Sequence, residues 1–426
     1  MILRLLYYYF KTHYLRKRFK SRDQLSAYQE KRFKKLVKST LSKSSFYQPY
    51  LDKPLNEWPI INKKIMMHHF DEINTANIKR DHALELALKA EKTRDFSALI
   101  NGIAVGLSSG TSGNRGLFLA NAKERDAWAG ILLAKALPEG FKKNECIAFF
   151  LRANSKLYTT LSKSKKIQFH FFDLFDHFET HQDRLNEIQP TILSAPTSVL
   201  LALAKEKHRL SIKPQKIFAV AEVLEPRDEA IISTAFNCQV AQVYQCTEGF
   251  LAISDKENNH LLMNEEYLII EKEWLDERRF VPIITDLLRT TQPIIRYRLD
   301  DVLIEEPSKG IFTRLAGIEG RVGDICYATK NNQLFPIFAD LIRQKMASFP
   351  FQFDDYTIQQ QALNQFTIQI TPDLPEKEAL ISHLNELFHA HNFDIPLWQW
   401  QPFIKREMGA KNRRIQALPE ISQSEL

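Results

Sequence analysis

The sequence predicts an α/β protein. It has a large N-terminal domain of mostly parallel sheets covered by helices, with a smaller barrel-like or mixed sheet. A small C-terminal α+β domain follows. Three observations predict this. Short apolar runs recur at residues 146–151, 167–174, 191–194, 216–221 and 238–244, and helical stretches at 197–208 and 225–236 separate the later ones. Buried strands alternating with helices imply a mostly parallel sheet covered on both faces. Three further runs, 267–274, 280–287 and 294–305, alternate more strongly and are expected to be antiparallel or mixed. Composition shifts after Gly320-Arg321, which sets the domain boundary between residues 322 and 323.

The chain begins with a mostly helical part, residues 1–95. Ile2, Leu3, Leu5, Leu6 and Tyr7 to Tyr9 form an apolar cluster followed by Lys11, Arg16, Lys17, Arg18 and Lys20. The cluster is too short to span a bilayer. A helix packed on the body of the protein is expected, with a surface-lying amphipathic helix as the alternative. Residues 22–41 read as a helix with one apolar face made by Leu25, Tyr28, Phe33, Leu36 and Val37. Leu55, Trp58, Ile60 and Ile61 lead to Asn62, an N-cap for a short helix. In the C-terminal part, residues 333–337 read as a strand or turn, 356–361, 365–370 and 397–403 as strands, and 338–349 and 377–391 as helices.

With 426 residues the chain can bury a large core, and 44% apolar against 26% charged residues is ordinary for a globular protein. The formal charge of +7 suits anionic small molecules and is too diffuse to imply nucleic acid. Cys146, Cys238, Cys246 and Cys326 stand apart with no C-x-x-C pair, so neither a disulfide framework nor a zinc site is expected. A reducing cytoplasm is the expected setting.

The stretch from Ser108 to Gly116 carries the most chemistry. Ser108, Ser109, Thr111 and Ser112 supply hydroxyls, and Gly110, Gly113 and Gly116 let backbone N–H groups approach a ligand. Arg115 adds a planar positive fork. Flanked by an apolar lead-in at 103–105 and followed by a helical pattern, the stretch reads as a polyphosphate cradle. No Lys follows at the P-loop position and no Gly-x-Gly pair occurs, which excludes those two nucleotide motifs.

Four more stretches follow in order: Gln242-Val243-Tyr244-Gln245-Cys246-Thr247-Glu248, Pro293-Ile294-Ile295-Arg296-Tyr297-Arg298-Leu299-Asp300-Asp301, Glu319-Gly320-Arg321-Val322-Gly323-Asp324, and Met408-Gly409-Ala410-Lys411-Asn412-Arg413-Arg414. Together with the loop, in this order, they resemble the adenylate-forming superfamily of acyl-CoA synthetases. Within it the chain most resembles the phenylacetate–CoA ligases and the synthetases that adenylylate a deazaflavin coenzyme. Phe46-Tyr47 and the segment from Trp58 to Lys63 add to the likeness, which extends over nearly the whole chain.

The resemblance implies an ATP- and Mg²⁺-dependent ligase. It would activate a carboxylic acid, aryl or otherwise hydrophobic, to an acyl-adenylate, then pass it to CoA or a carrier-protein thiol. It implies that Ser108, Ser109, Gly110, Thr111, Ser112 and Gly113 grip the β- and γ-phosphates. Tyr244 would stack on adenine, and Ala221 and Glu222 would line the adenine side. Thr247 would touch the α-phosphate and Glu248 would hold Mg²⁺. Asp301 would take the ribose hydroxyls with Arg321 nearby, Asp324 would sit at a hinge, and Lys411 would reach the reacting groups from a mobile lid formed by residues 323–426. The acid pocket is expected at the strand ends near residues 169–175 and at Ala195-Pro196-Thr197, with Phe250 close by; Phe171, Phe172 and Phe175 could line a flat aromatic slot, but burial of such Phe residues in the sheet core is the commoner outcome. A homodimer is left open, and membrane contact through the N-terminus is not favoured.

The chain departs from the family's pattern at Asp300 and Gly323, where a Gly and an acid are usual, at Asn114-Arg115, and at Ala410, which splits a Gly-Lys pair. Two other functions therefore stay open. One is an adenylyltransferase that places AMP on a hydroxyl of a cofactor-like acceptor. The other is a non-catalytic nucleotide-binding homologue.

Overall fold

The computed structural model describes residues 2–108, 115–137, 139–141, 143–151, 166–404 and 413–417. The chain divides into two compact units. The first comprises residues 1–299 and 305–317, the second 300–304 and 318–426.

The first unit opens with α1 (Ile2–Arg18) and α2 (Arg22–Ser39), the latter capped by Ser21, whose hydroxyl accepts from the Gln24 amide. Burial of Leu5, Tyr9 and Leu15 shows that α1 packs on the body of its unit, as expected. Phe33, Tyr47 and Trp58 meet with ring centroids 5.4 and 5.5 Å from the indole, and all three are buried. Asn62 caps α3 (Lys63–His68) by accepting from the Ile65 amide at 3.0 Å. Helices α4 (Phe70–Ile73) and α5 (Arg80–Thr93) follow.

Strands β1 (Leu99–Ile100), β2 (Ile103–Leu107) and β3 (Leu117–Ala120) form a small antiparallel sheet. This corrects one expectation: a strand, not a helix, follows the Ser/Gly loop. Four residues are too few for either periodicity to register. The helix starts only at Asn121, whose side chain and Glu124 build a capping box for α6 (Ala122–Ala136).

Strands β4 (Glu145–Leu151) and β5 (Ile167–Asp173) come next, then α7 (Phe178–Ile188), β6 (Ile192–Pro196), α8 (Thr197–Lys205), β7 (Lys216–Val220), α9 (Pro226–Phe236) and β8 (Val240–Gln245). They give the parallel order β5-β4-β6-β7-β8. β9 (Phe250–Ser254) and β10 (Leu261–Met263) continue the hydrogen-bonded sheet antiparallel. β11 (Leu268–Trp274) and β12 (Arg279–Asp286) form an antiparallel pair.

The third run, expected as one strand over 294–305, is broken into β13 (Tyr297–Arg298) and β14 (Asp301–Glu306). Arg296 adopts a φ of 45°, which a regular strand does not permit. Its guanidinium is held by Glu271 and by the carbonyls of Asn56 and Trp58, the last at 2.6 Å. Next to it Ile61 bridges to Tyr297, which brings the N-terminal segment carrying Lys63 against β13. β14 and β15 (Arg314–Arg321) both run across the division between the units.

In the second unit β16 (Cys326–Lys330) and β17 (Gln333–Ile337) form a hairpin. Its two-residue turn, Asn331-Asn332, has φ of 52° and 61°, the left-handed pair that a tight hairpin needs. α10 (Ala339–Ser348), β18 (Asp355–Ala362), β19 (Gln365–Thr371), α11 (Lys377–His391), β20 (Leu397–Trp400) and β21 (Ile415–Ala417) complete it, with sheet order β20-β19-β18-β21. Ile358, Phe366, Ile368, Leu380 and Leu384 form its core. Among the described residues no helix is long and apolar enough to cross a membrane.

Candidate functional site

In the first unit a small cavity is lined by Lys63, Met66, Gly116, Thr247, Glu248 and Tyr297, among others. Each arrives for a local reason. Lys63 is the first residue of the helix that Asn62 starts. Gly116 closes the Ser/Gly loop, and Thr247 and Glu248 occupy the turn between β8 and β9. Tyr297 comes from the short strand to which Ile61 bridges.

The Glu248 carboxylate is oriented from two sides. Tyr297 donates its hydroxyl to Oε1 at 3.0 Å, and Thr247 donates to Oε2 at 2.8 Å. An ionised carboxylate has about four acceptor positions, so two remain after these bonds. Mg²⁺ is usually bound by one or two carboxylates together with substrate phosphates and water. Glu248 fits that requirement. Among the described residues no cluster of three or more His, Cys, Asp or Glu could hold a metal without such help.

The neck of the Ser/Gly loop is closed by exchange between Ser108 and Gly116. Ser108 N donates to Gly116 O at 2.8 Å, and Gly116 N donates to Ser108 Oγ at 2.7 Å. Ser109, Gly110, Thr111, Ser112 and Gly113 lie outside the described residues, as does Lys411. Arg115 departs from expectation. Its guanidinium forms a two-pronged ion pair with Glu91 and donates to Ser108 O at 3.1 Å. It locks the neck of the loop and does not extend a positive fork into it. A fixed planar donor set finds its geometric match in a carboxylate already supplied by α5.

Ala221 follows β7 in the left-handed region, φ 65°, a conformation that costs a β-carbon residue energy. The Glu222 side chain after it is committed to the start of α8, accepting from Ser198 N at 2.8 Å and Ser198 Oγ at 3.0 Å. Tyr244 lies in β8 and is buried. Phe172 takes the core position that the sequence favoured over an aromatic slot. Phe172 is fully buried and stacked on Phe150 at 4.6 Å, whereas Phe175 is exposed beneath the Arg94 guanidinium.

In the second unit Asp301 and Arg321 form an ion pair at 4.0 Å, with both side chains about a quarter exposed (23% and 24%). Asp324 is nearly buried. It accepts from the Arg321 amide at 2.9 Å and pairs with Arg413, while Arg414 pairs with Asp355 at 2.9 Å. Two of the tail's basic residues are thereby engaged in structure.

Sequence reasoning missed a turn that ties the cavity walls together. Arg289 donates to Thr247 O at 2.6 Å and to Leu119 O at 3.1 Å. Gln292 accepts from Leu119 N at 2.9 Å and donates to Leu117 O at 3.1 Å. Glu124 anchors the turn by accepting from the amides and hydroxyls of Thr290 and Thr291. One side-chain network thus joins β3, the strand leaving the Ser/Gly loop, to the Thr247-Glu248 turn. The available signal was the polar run Arg289-Thr290-Thr291-Gln292 between two apolar strands. Asp286, at its start, is buried, and this pushes its carboxyl up to about 6 despite Arg289 and the amides of Leu288 and Arg289.

No family model matches the chain. Protein CapK of Staphylococcus aureus is 30% identical over 122 residues, which is 28% of this chain and 27% of CapK, so the match spans about a quarter of that protein. Among solved structures, 2-hydroxyisobutyryl-CoA ligase in its postadenylation state superposes with a TM-score of 0.68 at 12% identity, over 94% of this chain and 90% of the ligase. The amide bond synthetase McbA from Marinactinospora thermotolerans gives a TM-score of 0.54 at 11% identity, over 75% and 68%. The fold is the one these adenylate-forming enzymes share.

Proposed function

We propose that this protein is an adenylate-forming ligase of the phenylacetate–CoA ligase-like branch. The observation that carries the reading is Glu248, oriented by Thr247 and Tyr297 in a cavity bordered by the closing glycine of the Ser/Gly loop. In the reaction, an oxygen of a substrate carboxylate bonds to the α-phosphorus of ATP. The bond to the bridging oxygen breaks, and pyrophosphate leaves with that oxygen. Mg²⁺ on Glu248 would neutralise phosphate charge. The chain's own contribution is to position the reactants and stabilise charge.

On this reading, Ser109 to Gly113 hold the terminal phosphates, Thr247 orients the α-phosphate, and Tyr244 with the Ala221 backbone borders the adenine. Asp301 and Arg321 take the ribose. Lys411, carried by a lid of residues 323–426, offsets the negative charge of the reacting groups. At a dielectric near 20 and ~4 Å one unit charge is worth about 4 kcal/mol, or about three decades in rate. CoA or a carrier thiol then takes the acyl group, in a cytoplasmic setting where ATP and CoA are available.

The test is pyrophosphate release from ATP and Mg²⁺ with hydroxylamine and a panel of aryl and fatty acids. Release that depends on one acid class, and that falls about a thousandfold in Lys411→Ala, is the expected result. A folded protein that binds ATP but releases no pyrophosphate with any acid would favour a non-catalytic nucleotide-binding role. Asp300, Gly323 and the Ala410 that splits the Gly-Lys pair are what motivate that second reading.

A further inference from the structure

Helix α1 has two apolar faces, and the fold uses one. Leu5, Tyr9, Thr12 and Leu15 are buried. On this side Gly130 of α6 lets the helices meet, because a Cβ there would lie 2.3 Å from the Leu5 carbonyl oxygen. The other face carries Leu3, Tyr7, Phe10 and Tyr14, which are 85%, 57%, 63% and 61% exposed. Their spacing of four, three and four residues puts all four on one narrow stripe along the helix. A contiguous exposed apolar stripe of this size calls for a partner.

The stripe has a basic margin. Lys11 and Arg18, seven residues apart, lie along one edge and Lys17 along the other, while Arg4, on the same edge as Lys11, is paired with Asp126 at 3.0 Å. Lys11 Nζ sits 5.6 Å from the Tyr7 ring centroid, and the Arg18 guanidinium 5.9 Å from that of Tyr14. Cationic groups lying along aromatic rings are the arrangement by which long basic side chains reach a polar boundary while their stems cover apolar surface. Beyond the helix the charge continues. Partial burial, and after it the nearby Arg32 and Lys35 of α2, hold the Lys11 ammonium down to about 8. Partial burial, with Lys216 and Arg16 as lesser causes, does the same to Lys256.

We propose that this face of α1 is a membrane-docking surface, on which the helix lies flat against an anionic lipid bilayer. Leu3, Tyr7, Phe10 and Tyr14 enter the interfacial layer, and Lys11, Lys17 and Arg18 meet the lipid phosphates. Aromatic residues with an apolar body and a polar tip favour that layer, and basic residues beside an apolar face are what an in-plane helix uses. The helix lies on the bilayer and does not span it. A second copy is the weaker occupant. A two-fold pairing of the stripe near Phe10 would set each Lys11 against its own mate in a chain of net charge +7. The inference does not rest on the adenylation reading, since vesicle binding requires no ATP.

The test is co-sedimentation of the full chain with phosphatidylglycerol vesicles and with phosphatidylcholine vesicles, at low and high salt. Binding to the anionic vesicles that weakens with salt is expected, because each basic group near the surface adds to the attraction. The variant Tyr7→Gln/Phe10→Gln/Tyr14→Gln should lose about tenfold or more of this binding while keeping its melting temperature, since all three side chains are exposed and Gln favours helix. Lys11→Glu/Lys17→Glu should lose a similar factor. Unchanged binding in either variant, or no binding of the wild-type chain to anionic vesicles, overturns the proposal. So does a concentration-dependent dimer of the wild-type chain that the Gln variant abolishes, which would assign the face to self-association.

Discussion

Tyr297 donates its hydroxyl to Glu248 Oε1 at 3.0 Å, linking a strand late in the first unit to the turn that follows β8. With Thr247 on the other oxygen, both carboxylate oxygens accept a hydroxyl hydrogen bond. Removing one orienting hydroxyl should weaken metal use without abolishing it. Tyr297→Phe is expected to raise the Mg²⁺ concentration for half-maximal pyrophosphate release by about tenfold, the usual order for loss of a supporting hydrogen bond. Glu248→Gln should lose about a hundredfold or more in turnover. A magnesium titration of both variants checks this.

Arg289 connects the Thr247 carbonyl to that of Leu119. Truncating it leaves two carbonyls without their charged donor. Arg289→Met should therefore destabilise the fold by about 2–3 kcal/mol and lower turnover more than it lowers acid affinity. Thermal melts, with kcat and KM measured separately, test both parts.

Burial raises the Asp286 carboxyl from 3.8 to about 6. The folded state then binds a proton that the unfolded chain has already released. This stabilisation is fully present below about pH 4 and is lost as pH rises through about 6. The shift corresponds to about 3 kcal/mol. Asp286→Asn, which keeps an acceptor for the Leu288 and Arg289 amides, should flatten the fall in melting temperature between pH 4 and 7. A variant as pH-dependent as the wild type would contradict the assignment.

Arg413 pairs with Asp324, and the Asp side chain is 9% exposed. Arg413→Ala would remove a charged partner from that nearly buried carboxylate and leave its hydrogen bond from the Arg321 amide. A loss of about 1–3 kcal/mol in the second unit is expected. The double variant Arg413→Ala/Asp324→Asn should recover part of it. Denaturant unfolding of the set tests the coupling.

Much of this molecule was legible in its residue pattern. Asn62 announced α3, and the apolar runs around Phe150, Phe172 and Phe218 announced the parallel strands, because N-caps and buried periodicity act over a few residues. β3 was not legible, since Leu117 to Ala120 is shorter than either period requires. The break at Arg296 was hidden as well, because it depends on Glu271 and on carbonyls more than 200 positions away in the chain (Asn56 and Trp58).

The same division holds for the site. By itself the sequence determined which candidate residues are present and in what order: the Ser/Gly loop, Thr247-Glu248, Asp301, Arg321 and Lys411. These follow from chemistry written in short contiguous stretches. Only the tertiary structure decided that Arg115 serves Glu91, that Glu222 serves Ser198, and that Tyr297 and Arg289 hold the Thr247-Glu248 turn. A charged or polar side chain goes to the partner that best satisfies it in three dimensions, and no local pattern records that choice.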